Sequence, residues 1–210
     1  MKRFFFLSLC VFAVACSSKT KEPTLEEKAN DLMKQAVQKT LLFPDSYSLA
    51  DTQIDSAFTP FHDPAFVETV FKLYGMANEM EDLDRKMKNA KSDMSFYSSY
   101  SSSFYREQYK EAKEKYEKAQ AGIDSINKKL KSMGEGFRKQ LYGPKVFIGY
   151  RAHHSFRAQN NAGQTIMSGA YFLFDKDVTK IVAQWSEDDI NIYNEFLNGL
   201  MESVDRQELN

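Results

Sequence analysis

Cysteine is almost missing from this chain of 210 residues. There are two, Cys10 and Cys16, both within the first sixteen positions. Nothing downstream can form an internal disulfide, supply a thiolate ligand to zinc or act as a cysteine nucleophile. Histidine is nearly as scarce, with three residues, two of them adjacent at His153 and His154. An excess of either charge is lacking too. The formal net charge of −1 gives no global field that would draw the chain to nucleic acid or to an acidic surface. Also lacking are a phosphate-binding loop, an H-E-x-x-H pair, an EF-hand loop and a nucleophile elbow. No cofactor or metal is expected, and the balance leans away from an enzyme.

What is present suits a folded chain. Hydrophobic residues make up 42% and charged residues 27%, so a core can be buried and wholesale disorder is not expected. Aromatics reach 14%, mostly Phe and Tyr. The length suits one domain, or one domain carrying a long insertion.

The only long apolar run is at the start. Met1-Lys2-Arg3 is basic, and Phe4 to Ala15 is apolar apart from Ser8. As a helix this run covers roughly 18 Å, against about 30 Å for a bilayer core. It is too short to span and matches the central region of a secretory signal. Three outcomes are open at Ala13-Val14-Ala15-Cys16: plain cleavage with a free thiol, cleavage with acylation of Cys16, or a retained anchor. The segment resembles the bacterial lipoprotein signal, in which a small residue precedes a lipid-accepting Cys. Ala13 stands where that signal usually has Leu. The resemblance implies residues 1–15 as signal peptide, Cys16 as lipidation site and residues 16–23 as tether. It also implies a place in the bacterial cell envelope. Ser17 after the Cys, with no acidic run, points to the outer membrane facing the periplasm. Two acyl chains hold a protein far more firmly than one. Membrane partition of a Cys16→Ala variant separates the three outcomes: unchanged attachment rules out the lipid.

The rest of the chain reads as α+β. Thr24 and Glu27 form a capping box, and Leu25, Ala29, Leu32, Met33, Ala36 and Val37 give the helix that follows one apolar face. Pro44 stops that helix near Leu42. Tyr47 to Phe58 reads as a strand. Asp63-Pro64 opens a new helix, with Asp as N-cap and Pro at the first position. A heptad seam then runs Phe66, Val70, Leu73, Ala77, Met80, Leu83, Met87, Ala90, Met94. After the serine-rich "SFYSSYSSS" (95–103) a second seam runs Tyr105, Tyr109, Ala112, Tyr116, Ala119, Ile123, Ile126, Leu130, Met133, Phe137. The two seams predict an antiparallel helical hairpin closing near Ser99. That fold would set Arg85, Lys86 and Lys88 opposite Glu111 and Glu114, and Glu81 and Asp82 opposite Lys115 and Lys118. One long helix in an intermolecular coiled coil is the alternative, so oligomeric state stays open.

Gly143-Pro144 ends the second helix. Period-two patterning then predicts strands over Val146–Ala158, Thr165–Asp175 and Val178–Trp185, the first two joined by an Asn160–Gly163 turn. Ser186 caps a last helix whose face is Ile190, Tyr193, Phe196, Leu197, Leu200 and Met201. The expected fold is a small antiparallel sheet of three to four strands, with the first and last helices on one face. This α+β domain would comprise residues 24–62 and 143–205, with the hairpin 63–142 inserted. "LLFPDSY" and "IGYRAHHSFRAQNNAGQTIMSGAYFLF" resemble a loose group of small bacterial secreted proteins and lipoproteins. That resemblance implies a small sheet packed on helices and no activity. The hairpin lies outside it.

Few residues suggest chemistry. Neighbouring strand residues point to opposite faces, so His153 and His154 cannot readily share a metal. Asp82, Asp84, Glu114 and Glu117 read as a solvated helix face rather than an acid–base pair. Phe96, Tyr97, Tyr100 and Phe104 crowd the hairpin tip. They either plug its end or form a contact surface for a protein partner. Three functions are therefore in play. One is a non-catalytic interaction module using the hairpin. Another is a ligand-binding module with a cleft between sheet and helices. The last is a hydrolase with an unrecognised site, for which a histidine in a cleft near a serine or carboxylate would speak.

Overall fold

A computed structural model of the chain describes residues 22–208. The signal segment, Cys16 and most of the tether lie outside the described residues. Helix α1 (Leu25–Thr40) leads through a short 3-10 turn (Pro44–Ser46) to β1 (Ser48–Phe58). Two long helices follow, α2 (Pro64–Tyr97) and α3 (Ser103–Leu141). Then come β2 (Phe147–Gln159), β3 (Thr165–Phe174), β4 (Ile181–Ser186) and α4 (Glu187–Glu208). The four strands form one antiparallel sheet in the order β1-β2-β3-β4. β1 and β2 are therefore neighbours although the whole hairpin separates them in sequence. The chain is α+β. Among the described residues no helix is long and apolar enough to cross a membrane.

Local chemistry starts each element where the sequence marks it. The Thr24 hydroxyl accepts from Glu27 N–H, and the Glu27 carboxylate accepts from Thr24 N–H, which closes the capping box. Asp63 accepts from Ala65 N–H ahead of Pro64. Ser186 and Asp189 exchange the same reciprocal bonds at the start of α4. Asn160 Oδ1 accepts from Ala162 and Gln164 N–H and so organises the β2–β3 turn.

The hairpin is antiparallel within one chain. Phe66 stacks on Phe137 at its root, Leu83 lies against Gly122 midway, and the Tyr97 and Tyr105 rings meet near its end. A methyl group on Gly122 would come within 2.8 Å of Leu83, so this glycine lets the helices approach. Ala90, Ala112, Ala119 and Ile126 fill the seam, whereas Ala77 is exposed. The ion pairs differ from expectation. Asp82 pairs with Arg85 and Lys86, Asp84 with Lys88, Glu111 with Lys115, and Glu117 with Lys113, all along one helix. The reason is register. With Leu83 opposite Gly122, the register is shifted by about a turn from the one that sets Asp82 against Lys115 and Lys118. The i,i+4 neighbours take the charges instead.

Two apolar clusters lie on opposite faces of the sheet. Ala29, Met33 and Val37 of α1 pack with Ala152, Phe156, Ala158, Ala170, Phe172 and Phe174 on one face. Tyr193 and Leu197 of α4 pack with Phe66, Val67, Val70 and Leu141 at the hairpin root, with Trp185 from the other face. The first and last helices therefore do not share a face. Once α1 and the even-numbered positions of β2 have closed one side, the remaining apolar stripe belongs to α4.

The start of β4 is also shifted. Residues 175–180 form a turn rather than the beginning of a strand. The Asp175 carboxylate accepts from Thr179 N–H at 2.7 Å, from Lys180 N–H at 3.2 Å and from the Thr179 hydroxyl. These bonds and the neighbouring Lys180 charge hold its carboxyl below the usual carboxylate range, the Thr179 hydroxyl contributing most. Val178 carries φ of 51° there, strained for a β-branched residue, and its side chain is buried in the α1-side core.

Candidate functional site

A cavity of about 520 Å³ lies between the odd-numbered face of the sheet and α4. Its floor is Gln53 and Asp55 of β1, Arg151 and His153 of β2, Tyr171 and Leu173 of β3, and Trp185 of β4. Helix α4 supplies Tyr193, Asn194, Leu197 and Asn198 from one stripe at helical spacing. Phe61, His62 and Val67, where β1 passes into α2, close one end. The volume is that of a small-molecule site, and aromatic walls with a few convergent polar groups are what such sites present.

The polar groups are individually placed. His153 Nε2 donates to Glu187 Oε1 at 2.7 Å, and the ring stacks on Tyr171 with centroids 4.6 Å apart. Gly169 makes the approach of Glu187 possible, since a side chain there would begin 2.2 Å from Glu187 Oε1. Arg151 pairs with Asp55 at 3.5 Å, and its Nη1 lies 3.1 Å from His62 Nε2. His62 Nδ1 accepts the Phe58 N–H at 2.9 Å. Burial, and after it the charge of Arg151, hold the His62 ring below the usual histidine range. The Tyr193 hydroxyl donates to the Phe61 carbonyl at 2.8 Å, and burial raises its pKa above the usual phenol range.

His154 points the other way and is fully buried. Thr52 gives its single hydroxyl proton to Asn30 Oδ1 at 3.1 Å, so the hydroxyl oxygen accepts from His154 Nδ1–H at 2.9 Å. Nε2 then accepts from the Tyr47 hydroxyl at 3.0 Å. This fixes one neutral tautomer, and burial above all keeps the ring neutral. The two histidines thus have separate tasks: His154 holds the core, and His153 lines the cleft.

A histidine in a cleft beside a carboxylate is present, in the pair His153–Glu187. No serine, threonine or cysteine is among the described residues lining the cleft. Nor do the described residues hold a group of three or more His, Cys, Asp or Glu arranged for a metal. At the hairpin tip, Tyr97 is half-buried and meets Tyr105, while Tyr100 stacks on Tyr105 at 4.4 Å. Phe96, Tyr100 and Phe104 remain 56%, 46% and 63% exposed. The tip is therefore both: Tyr97 and Tyr105 plug the end, and the other three face outward.

Sequence reasoning placed His153 on a strand face. Nothing in the sequence marks Arg151 or His62 as site residues. The interruption of the α4 stripe by Asn194 and Asn198 was the available signal for a cleft. Comparison with known protein families, with curated proteins and with solved structures finds no match for this chain.

Proposed function

We propose that the chain is a non-catalytic binding module of the bacterial cell envelope, tethered through lipid on Cys16, whose ligand seat is the cleft between the sheet and α4. The observation that carries this reading is the cleft itself. All four strands, the passage from β1 into α2 and helix α4 bring aromatic walls and a few fixed polar groups around one cavity of about 520 Å³. Trp185 is the chain's single tryptophan and lines the cleft, so its emission comes from one residue; it also borders two shallower pockets, and Asn194, which lines only the cleft among these, tells them apart. In the full chain, held in a neutral detergent, 4-(4-nitrophenyl)butanamide is expected to quench Trp185 saturably. Asn194→Phe, which fills the cleft from an exposed position on α4, should abolish the saturable part. Quenching that is linear, or unchanged by Asn194→Phe, counts against a ligand site.

The hairpin supports a second role, contact with a protein partner through its tip. The three outward-facing aromatics at Phe96, Tyr100 and Phe104 favour it. Crosslinking from the tip in intact cells should capture a partner that is lost when Phe96, Tyr97, Tyr100 and Phe104 are changed to Ser. Undiminished capture by that variant would remove this second role.

A further inference from the structure

We propose that the cleft takes a small organic acid, its carboxylate seated between Arg151 and His62 and its apolar body along Tyr171 and Trp185. The proposal rests on the ligand-binding reading above and gives that ligand a chemical class.

The argument begins with a mismatch. His62 Nδ1 faces the Phe58 N–H at 2.9 Å, and His62 Nε2 faces Arg151 Nη1 at 3.1 Å. Both neighbours are donors. A neutral imidazole has one N–H and one lone pair, so only one of its nitrogens can accept; an imidazolium can accept at neither. In every protonation state at least one donor meets a donor. The Phe58 N–H belongs to the backbone and cannot turn away, so Nδ1 is the acceptor and the ring proton sits on Nε2. That N–H then points at a guanidinium. Asp55 does not relieve the conflict, because it pairs with the other terminal nitrogen, Nη2, at 3.5 Å.

An anion at this junction would resolve it. One carboxylate can accept from His62 Nε2–H and from Arg151 together, and charge-assisted bonds of that kind are the strong ones. A guanidinium fork matches the planar carboxylate, and Arg151 is the only Lys or Arg among the described lining residues. A single cationic group of this kind suits one carboxylate better than a phosphate dianion. Beyond it the floor turns aromatic at Tyr171 and Trp185.

The test compares two compounds of nearly equal shape, 4-(4-nitrophenyl)butanoate and its amide, by Trp185 quenching in the full chain. The acid is expected to bind about tenfold or more tightly than the amide, the range of one charge-assisted hydrogen bond. Arg151→Met should erase that preference while leaving the affinity for the amide in place. His62→Asn should reduce it, since the Asn oxygen can still accept from Phe58 N–H but the ring N–H is gone. Equal binding of acid and amide, or a preference that survives Arg151→Met, overturns the carboxylate seat and leaves the cleft as a ligand site. Absence of saturable quenching by both compounds overturns the ligand-binding reading itself.

Discussion

Gly149→Ala is expected to lower the melting temperature by roughly 6–12 °C, the equivalent of about 3 kcal/mol in a chain of this size. Gly149 has φ of +148°, a conformation that side chains rarely adopt. A Cβ there would lie 2.0 Å from the Phe174 carbonyl oxygen. That atom is backbone and cannot rotate aside. Phe174 itself has no exposed surface, so moving it disturbs the α1-side core. The site also sits beside an irregularity in the β1–β2 pairing, where the register breaks after Ala57, the partner of Gly149. Gly163 is the control. Its φ is +75°, and nothing lies within 4 Å of a Cβ built there. Alanine at 163 should cost only about 1 kcal/mol, the left-handed backbone penalty. Thermal melts followed by circular dichroism separate the two. A Gly149→Ala protein melting within about 2 °C of the parent would refute the close approach.

Acid should weaken the fold well before carboxylates titrate. His154 and His62 are both held below the ordinary histidine value of 6.5, chiefly by burial. In the unfolded chain each would take up a proton near 6.5, while in the folded chain each stays neutral to lower pH. Between those two points the unfolded state binds more protons. Stability therefore rises with pH across this window and falls as pH drops through about 6.5, by up to about 1.4 kcal/mol per pH unit for each ring. The loss stops once pH passes below the folded-state value. Urea denaturation at pH 7.5, 6.5 and 5.5 should show the decline. His154→Gln keeps polar atoms near Tyr47 and Thr52 but removes one titrating ring, so its slope should be about half that of the parent. Asp175 and the exposed Glu68 and Asp82 have lowered values from ordinary ones near 4, so their contributions are lost only in more acid solution. Stability that stays level between pH 7.5 and 5.5 would mean that neither ring resists protonation.

Much of this architecture was legible because its signals are local. A capping box, an Asp-Pro helix start and an Asn-Gly turn act within four residues of themselves, so reading them needs no knowledge of the fold. The two seams are local in the same sense, since each repeats along its own helix. The errors fall where information is not local. Period-two patterning names the two faces of β2 but cannot say which helix takes which face, and so α1 and α4 were assigned together. The hairpin register depended on the width of the turn and on Leu83 meeting Gly122, neither of which periodicity reports. At residues 175–180 an apolar Val178 looked like a strand, whereas Asp175 had enough short-range acceptor capacity to wind the backbone into a turn. The cleft was the least legible part. Arg151 and His62 are 89 positions apart, and their opposition exists only because β1 and β2 pair across the inserted helices.

That insertion also gives the molecule mechanical gearing. Helix α2 has 34 residues, a stiff rod of about 51 Å. Its first turn holds Val67, which lines the cleft, and Phe66, which is clamped between Phe61 and Phe137. The root of the arm and the rim of the cavity thus share side chains, and Phe71 and Tyr74 extend that root by packing on Tyr193 and Phe196 of α4. Beyond Tyr74 the arm runs about 35 Å, so by plain trigonometry a tilt of about one degree at that root would sweep the aromatic tip through about 0.6 Å. Small displacements among Phe61, His62 and Val67 would be enlarged at Phe96, Tyr100 and Phe104.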